Sequence, residues 1–121
     1  SLLLNLDGFE GPIDVLLNLA RDQKVDLVKI SILELVNQYL GFIEQAKKIK
    51  LELAADYLLM AAWLAYLKSR LLLPKEENNQ DEPSGEEIAE ALAFQLRRLE
   101  KIQETVNRTI NEYVHRNDLT A

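Results

Sequence analysis

Residues 53–74, LAADYLLMAAWLAYLKSRLLLP, consist largely of helix-forming residues and leave almost no polar face. A helix apolar around most of its circumference must be buried on two sides. One side follows a helical stripe through Leu53, Tyr57, Leu58, Ala61, Leu64, the stem of Lys68 and Leu71, and is expected to lie on the chain's own core. The opposite side, Leu59, Ala62, Trp63, Tyr66 and Leu73, has no obvious internal partner in a chain of 121 residues. That surplus points to a binding surface.

The length suits one domain, and an apolar fraction of 48% suffices for a core. With no cysteine, a disulfide framework, thiolate chemistry and a cysteine-based zinc site are excluded, and the chain fits a reducing cytoplasm. A net charge of -6 argues against a protein whose main work is to coat phosphate backbones. The uninterrupted apolar run 57–67 is bounded by Asp56, Lys68 and Arg70 and falls short of the roughly 20 residues that span a bilayer, so no membrane association is expected. SLLLNLD lacks the basic start and long apolar centre of a secretory signal. The opening on Ser1 and the polar tail suggest a piece of a longer chain.

The pattern predicts an all-α fold. A first helix starts at Gly11-Pro12, because proline suits the first helical position and Asp14 lies where the dipole favours negative charge. Its apolar face is Ile13, Leu16, Leu17 and Ala20, and residues 21–29 read as a connection. Ser31 and Glu34 form a capping-box pattern before a second helix over 32–48, burying Ile32, Leu35, Val36, Tyr39, Leu40 and Ile43. Gly41 interrupts it at a cost of about 1 kcal/mol.

The third helix begins near Glu52 and stops before Pro74. Residues 1–74 thus form a three-helix domain. Residues 75–85, KEENNQDEPSG, carry nothing apolar to bury and read as a flexible acidic linker. Over 86–121 the chain reads as a long helix, regular to about Arg116, with Leu92, Leu96, Leu99, Val106, Ile110 and Tyr113 on a four-three repeat and Gln103 in the remaining slot. This is a narrow seam for packing on another helix.

Catalytic and metal readings fail by elimination. His115, the only histidine, makes a Glu-x-x-His pair with Glu112, but a di-iron bundle needs two such pairs, so a surface histidine is the simpler reading. Ser1, Ser31, Ser69 and Ser84 have at most that one histidine as a base. GFEGP lacks the GK[ST] ending of a phosphate loop and reads as a turn feeding a helix. Lys47, Lys48 and Lys50 offer a basic cluster to nucleic acid or, more simply, a solvated helix end; Arg97 and Arg98 lie off the seam and read as solubilising.

The remaining choice is between a closed four-helix bundle, its last helix covering the surplus face, and an interaction module. About 30 residues of helix extend roughly 45 Å, beyond the shorter helices, and so leave an overhang that also needs a partner. Trp63 and Tyr66 are residue types enriched at interface centres, with Arg70 at the rim. We read the chain as an interaction module.

FEGPIDVLL at residues 9–17 resembles the FEGPLDLLL opening of the ScpA family, bacterial kleisins of the SMC condensin complex. ISILELVNQY at 30–39 is similar to the family's second-helix signature, and MAA at 60–62 with KSRLLLP at 68–74 resembles its third-helix motif. These matches span residues 6–74 in the family's order and spacing.

The resemblance implies a non-enzymatic, cofactor-free bridging subunit of chromosome condensation and segregation, cytoplasmic and nucleoid-associated, touching DNA only through the complex. It also implies that the amino-terminal helical domain packs on the coiled-coil neck of one SMC subunit, that a carboxy-terminal winged-helix domain caps the head of the other, and that the region between wraps a ScpB dimer, with ATP used by SMC. Carried onto this sequence, neck contact falls on Leu59, Ala62, Trp63, Tyr66, Arg70 and Leu73, where Trp63 is assigned on residue type because the family motif is variable there. ScpB contact falls on Leu92, Leu96, Leu99, Ile102 and Val106, a stretch that matches the family less distinctly. The alternative is a small helical nucleic-acid-binding domain.

Overall fold

A computed structural model describes residues 11–73 and 82–120, with side chains described as far as residue 117. Among the described residues the fold is all-α, without strands, as the pattern predicts. The helices are α1 (Pro12–Asp22), α2 (Ile32–Lys48), α3 (Ala55–Leu72) and α4 (Gly85–Thr120), and a 3-10 turn, Leu27–Lys29, precedes α2. The start of the FEGP motif and residues 75–81 of the expected linker lie outside the described residues.

Pro12 occupies the first turn of α1, with Asp14 beside it. Ser31 caps α2 by accepting from the Glu34 backbone N–H at 3.2 Å. The Ser31 backbone N–H, which Glu34 would satisfy in a reciprocal box, instead donates to Gln23 Oε1 at 3.0 Å, and Gln23 Nε2 donates back to the Ser31 carbonyl, also at 3.0 Å. One glutamine thereby ties the end of α1 to the start of α2. The far end of α2 closes in a left-handed residue, Lys50 (φ 57°), with Lys50 N–H bonded to the Lys47 carbonyl and Leu51 N–H to that of Ala46.

The core is built on α1, which packs against all three other helices and buries Val15, Leu16, Leu17, Leu19 and Ala20. Ile13, expected inside, is exposed. From α2 come Leu35, Val36, Tyr39, Phe42 and Ile43, and Tyr39 donates its hydroxyl to the Tyr57 carbonyl at 3.0 Å. That bond satisfies the one polar atom of the largest fully buried side chain. Leu27 of the 3-10 turn, in a segment expected to be only a connection, is also buried.

The largest difference from the sequence expectation concerns α4. It was expected apart from a three-helix domain; instead its first half packs on α1, α3 and the 3-10 turn, sending Ala89, Leu92, Ala93 and Leu96 into the common core. The core is therefore a four-helix core. Beyond Leu99 the helix continues with Ile102, Val106, Ile110, Tyr113 and Val114 exposed. At helical rise its 36 residues extend about 54 Å.

The junction explains how α4 reaches the bundle. Arg70, only 7% exposed, places Nη1 3.3 Å from Glu82 Oε2 and donates through Nη2 to the Pro83 carbonyl at 2.6 Å. Ser84 then caps α4, accepting from the Glu87 N–H at 3.2 Å while its hydroxyl lies 3.3 Å from Glu87 Oε1. A Cβ at Gly85 would stand 2.7 Å from the Arg70 carbonyl carbon and the Leu71 nitrogen, so glycine lets the two backbones touch. Glu82 and Pro83, near the end of the expected linker, are thus held against α3 by Arg70, and Gly85 packs on the α3 backbone.

Candidate docking groove

The faces of α3 are unequal. Tyr57, Leu64, Leu67 and Arg70 are buried, with Leu53, Met60, Ala61 and Leu71 partly so. Leu58, expected in the core, is exposed, while Leu67 was not foreseen inside. The surplus face stands open: Leu59 is 73% and Trp63 40% exposed, and Ala62, Tyr66 and Leu73 are exposed as well.

Beside that face runs an open groove of about 990 Å³. Its first wall is the start of α1, Gly11 to Asp14; its floor is Leu59, Met60, Ala62 and Trp63 with Asp56 at the head of α3; its second wall is Leu99 and Gln103 of α4. The α4 wall is fixed by polar contacts. Gln103 Nε2 donates to Asp14 Oδ1 at 3.3 Å, Arg21 Nη2 donates to Gln103 Oε1 at 3.1 Å, and Arg21 Nε stands 3.5 Å from Glu100 Oε2. Gln103, the polar interruption of the four-three repeat, is where α4 is clamped to α1.

The lining is apolar except for Asp14, Asp56 and Gln103, and it contains no lysine or arginine. Burial first, and the Asp14 and Asp56 carboxylates after it, push the Tyr57 phenol above its ordinary value. Asp56 makes no hydrogen bond or ion pair among the described residues.

Three expected contact residues are not available to a partner. Arg70 is spent on Glu82 and the Pro83 carbonyl, so its guanidinium faces the chain's own junction rather than a rim. Leu92 and Leu96 are inside the four-helix core, Leu96 only 1% exposed, because α4 folds back on the bundle. Leu99 is half-buried in the groove wall, and Ile102 and Val106 are exposed on the overhang. Gly11, Pro12, Asp14 and Asp56, absent from the expected contact set, belong to the groove; Asp14 was legible only as a helix-start acid and Asp56 only as a charge bounding the apolar run.

Other expected features lie at the surface. Lys47 stands 3.9 Å from Glu44 at the exposed end of α2, and Arg97 pairs with Glu90 at 2.8 Å. Glu112 and His115 are exposed on the overhang, and no three metal-ligating side chains gather among the described residues. No described helix is long and apolar enough to cross a membrane.

Fold and groove together define a small all-helical domain with an open apolar face and a projecting helical arm. The model of the family Segregation and condensation protein ScpA matches residues 19–119, and the chain belongs to that family. Among its relatives, Segregation and condensation protein A of Coxiella burnetii is 45% identical over 89 residues, covering 71% of this chain and 34% of the relative. The proteins of the same name from Lactiplantibacillus plantarum and Xylella fastidiosa are 39% and 41% identical, covering 78% and 86% of this chain. The chain spans only 34% to 40% of the length of these three relatives.

Proposed function

We propose that this chain is the amino-terminal part of a non-enzymatic kleisin adaptor that joins an SMC subunit to ScpB in chromosome segregation and condensation. The observation that carries the reading is the open apolar face of α3, Leu59, Ala62, Trp63, Tyr66 and Leu73, beside a groove walled by α1 and α4. Leaving a tryptophan, a tyrosine and two leucines each more than a third exposed along one side of α3 is unfavourable unless a partner covers them. The SMC coiled-coil neck is that partner. A neck helix, about 10 Å across, lies along the face and completes the packing that the bundle leaves unfinished.

The second partner, the ScpB dimer, meets the arm. With Leu92 and Leu96 enclosed, its contact surface is Ile102 and Val106 continued through Ile110 and Tyr113, all exposed on one side of α4. The family name of the relatives and the helical groove support an adaptor that works in the cytoplasm at the nucleoid and reaches DNA through the complex. Against a nucleic-acid-binding domain stands the groove itself, which offers carboxylates and no cation to a phosphate backbone.

Calorimetric titration of the chain with the neck segment of its cognate SMC, and separately with ScpB dimer, tests the reading. Binding to both is expected, and Trp63→Glu with Tyr66→Glu should abolish neck binding without loss of helicity. Loss of helicity in that variant would make these residues structural, and failure to bind either partner would overturn the adaptor role.

A further inference from the structure

We infer that the chain pairs with a second copy of itself by exchanging arms: residues 103–120 of each copy lie along the open α3 face of the other. This goes beyond the adaptor reading, because it gives a further partner to the two surfaces assigned there to SMC and ScpB.

Uncovered apolar surface is concentrated in these two places. Of the seventeen large apolar side chains exposed among the described residues, Leu59, Trp63, Tyr66 and Leu73 stand on the open side of α3, with Ile13 on the groove wall. Five more, Ile102, Val106, Ile110, Tyr113 and Val114, stand on the arm. Ten such side chains, each offering on the order of 100 Å², bring on the order of 1,000 Å² per copy, enough for the roughly 800 Å² per partner of a stable interface.

The two surfaces also fit in length and direction. Helix α3 has 18 residues, and the arm from Gln103 to Thr120 has as many, about 27 Å each at helical rise. On a 3.6-residue period the arm's stripe continues the one that Leu92 and Leu96 turn into their own bundle, so it faces the space directly beyond that bundle's end. A single copy cannot fill that space, because α4 is one unbroken helix that carries the arm away from its own α3. A two-fold axis near Gln103 fills it twice: the two α4 helices run antiparallel, and each bundle lies under the other copy's arm. The incoming arm then meets the α3 face at the groove, whose α4 wall is Leu99 and Gln103. Such a contact is self-complementary and closes at two copies. On the arm's other side, Glu104, Arg108, Glu112 and Arg116 alternate in charge at four-residue spacing, which suits a face left in water. Pairing therefore covers both docking surfaces, and the SMC neck and ScpB bind by displacing the second copy.

Sedimentation equilibrium of the 121-residue chain alone tests the inference. The chain is expected to be dimeric at about 100 μM and monomeric at about 1 μM, the weak end of the range for an interface of this size, so unfolding at the lower concentration reads the single copy. Leu59→Glu and Ile110→Lys, both at exposed positions, are each expected to weaken the dimer about tenfold or more while leaving the melt of the dilute chain unchanged. Mixed in equal amounts, the two variants are expected to regain a dimer, since one copy then supplies an intact arm and the other an intact face. A full-strength dimer of Ile110→Lys would mean that face pairs with face, and one of Leu59→Glu that arm pairs with arm; either overturns the exchange. A mixture that stays monomeric, or an unsubstituted chain that is monomeric at the higher concentration, overturns it too. A monomeric chain that binds the neck sinks this inference alone, whereas a dimer that binds neither neck nor ScpB sinks the adaptor reading alone.

Discussion

Leu92 and Leu96 on the first half of α4 and Val106 and Ile110 on its second half occupy positions of one four-three repeat, yet the first pair is buried and the second exposed. The sequence pattern does not distinguish them. What differs is the surface opposite. Helices α1 and α3, of 11 and 18 residues, extend about 17 and 27 Å, whereas α4 runs to about 54 Å, so the bundle simply ends beneath it. The change falls at Gln103, where the repeat turns polar and the side chain is clamped between Asp14 and Arg21. A continuous apolar seam can therefore serve the fold over one part of its length and a partner over the rest.

The sharpest way to break this comparison is to truncate matched residues on the two halves. Leu96→Ala removes a fully buried side chain from the four-helix core and should cost about 2–5 kcal/mol of stability. Ile110→Ala, at a residue 53% exposed, should stay within about 0.5 kcal/mol. Urea unfolding of the two variants decides the matter. Equal losses would mean that the arm is packed in solution, and a small loss at Leu96 would mean that α4 does not dock on the bundle.

A second, smaller effect addresses how the docked half is held. By helix propensity alone, Gly85→Ala should stabilise α4. The contact geometry reverses the sign: the new methyl group would stand 2.7 Å from backbone atoms of Arg70 and Leu71, and backbone cannot rotate aside as a side chain does. A loss of about 1–3 kcal/mol is expected. Amide exchange should show it as weaker protection over residues 86–96, with α2 unchanged. Stabilisation instead would place the start of α4 away from α3.

The contrast between the halves also marks how far the sequence could be read. Pro12 at the start of α1 and Ser31 at the start of α2 were legible because their signals are local, set by the chemistry of one turn. The open face of α3 was legible in Leu59, Trp63 and Tyr66 because an all-apolar helix needs more cover than a short chain supplies. Arg70 was misread for the opposite reason. A cation on the surplus side of a helix looks like a rim residue, and only the return of the chain at Glu82 and Pro83 gives it an interior partner. Leu58 and Leu67 traded places with the expected stripe because α4 and α1 together define which side of α3 faces inward, and that is a tertiary choice. The groove's carboxylates went unread because Asp14 and Asp56 start different helices, 42 positions apart in sequence but lining one site.

The finest test lies at the cap of α4, where local and tertiary forces can be weighed against each other. Ser84 holds the first turn through the Glu87 N–H, and Ser84→Ala should cost about 1 kcal/mol if that turn has no other support. Support exists, however: Ala89 and Leu92 anchor the next turns in the core and Arg70 grips the Pro83 carbonyl just before the cap. The loss should therefore appear as local fraying, with faster amide exchange at Glu86 and Glu87 and little change in protection from Leu92 onward. If weakened protection instead spread along the helix to Val106 and Ile110, the cap rather than the core would be holding α4, and the two halves would behave as one unit despite their different cover.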